Sequence, residues 1–344
     1  VALPELGPPF DGWLRDAGLP AFAVGALPDP QADAAACLAA WPGAHWAVVD
    51  DYALDARWHA TAAAAGLRVA VIDDLADRPL DAELVIDTNE GADAAARYAA
   101  VLRRPARLLA GCRYALLDRV YTGAPPAALQ DPVRSLGVFM GGSDARGLSA
   151  AVVAAARRVF HGPIEAVATS AHARLDGLWA LAAADPALQL SLDLPHLAGF
   201  HARHGLQIGA GGSANWERCC LGVPTLAVPV AANQLAVLPA LAERGAVALW
   251  NGDPLADPAG LAAAIAALLA DAGRRAAMAA AGRRLVDGQG ALRVALALLT
   301  NHLSLRSADG GDCERMLQWR NDPATRAVSA DPREIDPQTH RDWF

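Results

Sequence analysis

Short apolar runs recur along the chain, each closed by glycine or polar residues and followed by a stretch with helical spacing. In the first third, residues 21–24, 46–49, 68–72 and 84–86 read as strands. Residues 8–18, 31–41 and 55–65 read as helices between them. After a stretch rich in proline and alanine at 121–132, the pattern restarts. Strands are expected at 135–140, 164–169, 188–192, 206–208, 225–228 and 246–250. Helices are expected at 147–159, 173–183, from about Ser213 to Gly222, and at 235–244, 258–270, 273–282 and 291–302. Strands apolar on both faces, alternating with helices, predict an α/β fold with parallel sheets covered on each side. A different pattern starts at Leu303, a short strand before an amphipathic helix.

The polar punctuation sits at strand carboxyl ends, where ligands of open α/β sheets bind. Asp50-Asp51-Tyr52, Asp73-Asp74 and Asp87-Thr88-Asn89 close three strands, and Gly141-Gly142-Ser143-Asp144 closes a fourth. The most informative stretch is Gly209-Ala210-Gly211-Gly212-Ser213, between a strand and a helix. Glycines let backbone amides approach an anion, and the helix N-terminus adds positive potential. Ser213 is expected to cap that helix. Glu217, one turn in, either favours the helix dipole or accepts the hydroxyls of a ribose. Asn215 lies on the same turn, and Asn233 and Gln234 follow the next strand. Gly141, Gly142, Ser143 and Asp144 suit either a pyrophosphate or sugar contact or a plain capped turn. Tyr52 could meet the sugar or the attacking water, or only close the sheet edge, and Asp50 could orient it or cap the next helix.

Composition removes several alternatives. Net charge is −8 with no basic stripe, which argues against nucleic acid as partner. All 29 basic residues are arginine. A Walker A loop, a pyridoxal Schiff base or a kinase strand lysine is therefore excluded within this chain. The longest charge-free apolar run is too short for a bilayer and no signal-peptide pattern opens the chain, so a cytoplasmic protein without membrane contact is expected. Five cysteines form no Cys-x-x-Cys pair and fit a reducing compartment. His201 and His204 have the spacing of a metal pair, but no third ligand is apparent. They read, with His196, as surface residues, and His45 and His59 as solvent-facing. No metal and no cofactor is expected.

Ala210-Gly211-Gly212-Ser213, Trp216-Glu217-Arg218-Cys219-Cys220-Leu221-Gly222, Pro224 and Asn233-Gln234 together resemble the UDP-2,4-diacetamido-2,4,6-trideoxy-β-L-altropyranose hydrolases of pseudaminic acid biosynthesis. Supporting blocks are Val48 to Asp55, Val71 to Arg78, Gly111 to Leu117, Gly141 to Asp144 and Val286 to Gly290. The resemblance implies two Rossmann-like domains facing a cleft, the glycosyltransferase-B-like (GT-B-like) arrangement. It implies an N-terminal domain at 1–120, a linker at 121–132, a UDP-binding domain at 133–282 and a helix at 283–302 that packs back on the first domain. It also implies a UDP-sugar substrate, with Gly141, Gly142, Ser143, Asp144, Gly211, Gly212, Ser213, Asn215, Glu217, Asn233 and Gln234 as binding residues and Tyr52 and Asp50 supporting catalysis. The family's first strand and its base, a histidine on a glycine-rich loop, are expected to precede Val1. Asp51 stands where the family has another histidine. Residues 303–344, with Trp319-Arg320-Asn321-Asp322-Pro323 and His340-Arg341-Asp342-Trp343-Phe344, resemble the start of a GNAT-type N-acetyltransferase. Its acetyl-CoA loop would lie beyond residue 344. A glycosyltransferase of the same architecture and a non-catalytic UDP-sugar-binding module are the alternatives.

Overall fold

The structure, a computed structural model, describes all residues except 4–9, 26, 28, 92, 171, 173, 301–305 and 330. The chain forms two compact units, Val1–Leu298 and Leu299–Phe344.

Among the described residues, the first unit holds two large parallel sheets and a two-stranded one. In its N-terminal half, β1 (Ala2–Leu3) pairs with β2 (Phe22–Ala23). A four-stranded sheet follows in the order β3 (Trp46–Val49), β4 (Arg68–Ile72), β5 (Leu84–Asp87) and β6 (Arg107–Ala110). The helices Pro30–Ala40, Ala56–Ala64 and Ala94–Val101 bury Ala34, Trp58, Ala62 and Tyr98 with Val69, Val71 and Val85. Asp29 and Asp55 start the first two helices by accepting amides with their side chains. The helix Ala94–Val101 and strand β6 lie where the sequence pattern predicts no element.

The C-terminal half holds six parallel strands: β7 (Leu136–Phe139), β8 (Ile164–Ala168), β9 (Leu188–Leu192), β10 (Leu206–Ala210), β11 (Thr225–Val228) and β12 (Ala248–Leu249). Their spatial order is β12-β11-β10-β7-β8-β9. The first strand of this half, β7, therefore lies beside the fourth, β10, with Val138 opposite Ile208. Connections leave that pair in opposite directions, which opens a crevice at the strand carboxyl ends. Its apolar core includes Leu136, Val138, Val152, Ile164, Ile208, Leu226, Leu261 and Ile265.

Within this unit the last helix, Gly290–Leu299, places Val294 and Ala297 against Ala70, Leu84, Ile86 and Leu109 of the N-terminal sheet. A side chain at Gly290 would overlap the Ala115 carbonyl, so only glycine permits this approach. Arg244 bridges to Glu90 at 2.5 Å, a second tie between the halves. The 121–132 stretch, expected as a linker, is anchored. Tyr121 and Ala127 are buried, and the Ala127 amide donates to the Leu221 carbonyl.

The second unit contains the helices Cys313–Asn321, Pro323–Ala327 and Pro337–Trp343. Asn321 exchanges two hydrogen bonds with the Ile335 backbone, and His340 Nε2 donates to the Cys313 carbonyl at 2.9 Å. The strand expected from Leu303 begins outside the described residues, as do residues 8, 9, 173, 301 and 302 of three expected helices. Among the described residues, no helix is long and apolar enough to cross a membrane.

Candidate functional site

The crevice between β7 and β10 contains a cavity of about 400 Å³. Gly141, Gly142, Ser143, Asp144 and Arg146 line it from the β7 side. Gly212, Ser213 and Ala214 line it after β10, and Val230, Ala231 and Gln234 after β11. Residues from three separate stretches thus converge at one sheet edge, within the size range of small-ligand sites.

Two glycines are required by geometry. Gly141 has φ +96°, a conformation costly for any side chain. A Cβ on Gly211 would lie 2.6 Å from Leu238 Cδ1. Gln234 then laces the turns together. Its Oε1 accepts the Gly211 amide at 3.1 Å and the Val230 amide at 2.9 Å. The Asn215 and Trp216 amides bond back to the Gly212 and Ser213 carbonyls. The amides of Gly212, Ser213 and Ala214, with no protein acceptor among the described residues, remain as the donors nearest the cavity. This arrangement suits an anion at the start of the helix Ala214–Leu221.

Several expected site residues take other roles. Ser213 does not cap the helix with its hydroxyl. Its backbone is already helical (φ −55°, ψ −28°), whereas a capping side chain needs an extended backbone. Asp144 lines the cavity but has little bonding capacity to spare. Its carboxylate accepts the Leu148 amide, the Ser149 amide and hydroxyl, and His172 Nε2 at 3.0 Å. Burial works to raise this carboxyl, and the hydrogen bonds from Ser149, Leu148 and His172 outweigh it, so the pKa is lowered. Asn215 is buried with its oxygen on Arg218, so it stands behind the turn rather than in the cavity. Asn233 is exposed and lies outside the cavity lining.

Glu217 is not among the cavity-lining residues, and its carboxylate meets the helix Ala198–Arg203 at His201. The Leu197 amide donates to Tyr121 Oη at 3.1 Å, and Tyr121 interacts electrostatically with Glu217. His201 Nε2 lies 3.1 Å from Glu217 Oε2, and His201 Nδ1 lies 2.8 Å from Gln207 Oε1. Burial raises the Glu217 carboxyl, but His201 and Tyr121 bring it below its ordinary value. The surface assignment of His201 and His204 is therefore overturned. Both are buried, because the Ala198–Arg203 helix turns Phe200 and His201 toward the sheet and His204 bonds Glu165 at 2.9 Å. His59 is likewise buried rather than solvent-facing, accepting the Asp81 amide at 3.2 Å.

Tyr52 and Asp50 belong to a separate cluster at the edge of the N-terminal sheet. Tyr52 Oη donates to Asp74 Oδ1 at 2.6 Å, and Asn89 Nδ2 donates to Asp74 Oδ2 at 3.2 Å. Burial, followed by the charges of Asp51 and Asp74, raises the Asp50 carboxyl. Asp50 and Asp51 line a second cavity of about 520 Å³ with Val1, Leu3, Trp46 and Val48. Arg146, at the mouth of the first cavity and 2.7 Å from Asp253, is a site residue that sequence reasoning missed. The signal was present, since it is the basic residue of the loop that closes β7. Among the described residues, no group of three His, Cys, Asp or Glu side chains could hold a metal ion.

No protein-family model matches the chain, and no curated protein matches it in sequence. Solved structures do match its fold. MurG of Acinetobacter baumannii superposes with TM-score 0.56 and 14% identity, over 84% of this chain and 87% of that one. The spinosyn rhamnosyltransferase SpnG, complexed with spinosyn aglycone, gives 0.58 and 17% over 85% and 90%. The MnaA–UDP complex of S. aureus gives 0.58 and 11% over 87% and 88%. At such identities the likeness concerns architecture: the chain has the α/β fold of two Rossmann-like halves, GT-B-like, that these structures share.

Proposed function

We propose that the chain binds a UDP-sugar, with the diphosphate on the glycine turns between β7 and β10. One observation carries this reading: the amides of Gly212, Ser213 and Ala214 and the loop Gly141–Ser143 converge on one cavity at the switch point of the sheet. Glu217 is assigned to the ribose. Its carboxylate is charged at neutral pH and held by His201, and a rigid acceptor suits a pair of hydroxyls. Asn233 and Gln234 are assigned to the sugar or the diphosphate. The S. aureus MnaA structure holds UDP, which is in keeping with this ligand class.

The proposed reaction is hydrolysis. Water gives up a proton to a base as it attacks the anomeric carbon, the bond from that carbon to the β-phosphate oxygen breaks, and UDP leaves with that bond's electron pair. Backbone amides and the helix N-terminus stabilise the leaving charge. The sequence resemblance to the diacetamido-trideoxy-sugar hydrolases supports this choice, with Tyr52 and Asp50 beside the sugar. A second reading, transfer of the sugar to an acceptor hydroxyl, is favoured by the likeness to a rhamnosyltransferase. Residues 303–344 are proposed as the start of a GNAT-type, acetyl-CoA-dependent domain, on their sequence alone.

Calorimetry with UDP tests the binding claim. Glu217→Ala should weaken UDP more than tenfold, by loss of charge-assisted hydrogen bonds worth about 1.5–3 kcal/mol. Unchanged affinity would refute the ribose assignment. Product analysis separates free sugar from transferred sugar.

A further inference from the structure

Arg218 projects from the helix Ala214–Leu221 back beneath the glycine turn and is 1% exposed. Its Nη2 donates to the Ala210 carbonyl at 2.7 Å and to Asn215 Oδ1. Nε and Nη1 have no hydrogen-bond partner among the described residues. No described carboxylate forms an ion pair with it, and the adjacent Glu217 bonds His201. Gly209, just before the turn, leaves room for the guanidinium, since a Cβ there would collide with Nη1.

A buried guanidinium with no ion pair, attracted only through space by Glu217, is expensive to fold. Burial pulls its pKa down only to about 10, so it stays charged at pH 7. Apolar residues of similar length could fill the same space at lower cost. What the charge does have beside it is the turn whose amides face an open cavity.

We propose that Arg218 is a fixed positive charge for the anion site, acting through the turn without touching the ligand. It holds the Ala210 carbonyl inward at the start of the turn and adds a full charge to the partial charge of the helix N-terminus. In a poorly solvated place that field is weakly screened, so its effect scales with the charge of the ligand. The missing counter-ion is the bound diphosphate. This rests on the anion-site part of the proposed function and is independent of which nucleoside is attached.

The test uses Arg218→Met and Arg218→Gln in the full chain, titrated with pyrophosphate, UDP, UMP and uridine. Both variants should fold, with unfolding temperatures close to that of the wild type, because relief of the buried charge offsets the acceptors left open on Ala210 and Asn215. Each should lose on the order of tenfold in affinity for pyrophosphate and UDP, less for UMP and none for uridine. Equal UDP and pyrophosphate affinity in variants and wild type would overturn the proposal. So would an equal loss across all four ligands, or variants that do not fold, because either outcome makes Arg218 a packing residue. Wild-type binding of pyrophosphate but not UDP, with the graded loss in the variants, would sustain the role of Arg218 and refute the uridine reading. Wild type that binds neither would overturn both.

Discussion

Gln234 allows the lacing of the turns to be separated from their electrostatics. Its Oε1 accepts amides from two different turns, Gly211 and Val230. Gln234→Glu keeps an acceptor in the same place and adds one negative charge to the cavity wall. At roughly 6 Å and an effective dielectric constant near 20, a unit charge pair interacts by about 3 kcal/mol. Water in the open cavity reduces this, and a net penalty of about 2 kcal/mol against a diphosphate is a loss of roughly 30-fold. Gln234→Leu instead removes the acceptor and strands two part-buried amides, at about 1 kcal/mol each. Urea unfolding and UDP calorimetry should therefore diverge. The Glu variant should unfold like wild type and bind UDP about 30-fold more weakly, with uridine little changed. The Leu variant should lose about 2 kcal/mol of stability. A Glu variant that binds UDP as tightly as wild type would refute an anion in this cavity.

Three further outcomes follow from the same structure. Tyr121→Phe and His201→Leu should release Glu217, and the measured preference for UDP over 2′-deoxy-UDP should fall several-fold in each; an unchanged ratio would dissociate these residues from ribose recognition. Asp144→Ala should cost about 2–4 kcal/mol in denaturant unfolding, because it uncaps a helix and strands the buried His172; a loss under 0.5 kcal/mol would contradict the capping role. Glu165 is pushed up by burial and pulled down further by His204, Ser191 and Arg203, to about 2 from an ordinary 4.5. A depressed folded-state pKa gives stability that is complete above about pH 4.5 and lost as pH falls toward 2. The stability gap between wild type and Glu165→Gln should therefore shrink over that window, and a gap independent of pH would exclude the linkage.

Much of the scaffold was legible because buried parallel strands are nearly pure apolar runs stopped by glycine or aspartate. Residues 46–49, 68–72, 188–192 and 225–228 coincide with β3, β4, β9 and β11. The helix Ala94–Val101 went unseen because it is short and mostly alanine without a clear period, and β6 because it is only four residues with two leucines. The glycine turns were legible from the strand–glycine–helix order, and both line the same cavity. The polar side chains were less so. A Ser-x-x-Trp-Glu-Arg run places Glu217 and Arg218 on a helix without saying which is buried, and burial here runs against residue type: Arg218 is the more deeply enclosed. His201 and His204 read as a surface pair because spacing alone does not reveal the acceptors, Glu217 and Glu165, brought to them from distant elements. Asn233 follows a strand edge in sequence yet ends exposed, while its neighbour Gln234 turns inward to the amides.

The most direct measurement is a crystal structure of the chain with UDP. Phosphate oxygens should lie about 3 Å from the amides of Gly212, Ser213 or Ala214, with the ribose hydroxyls at Glu217. UDP bound away from the β7–β10 crevice, or those amides left facing only solvent at saturating UDP, would contradict the account.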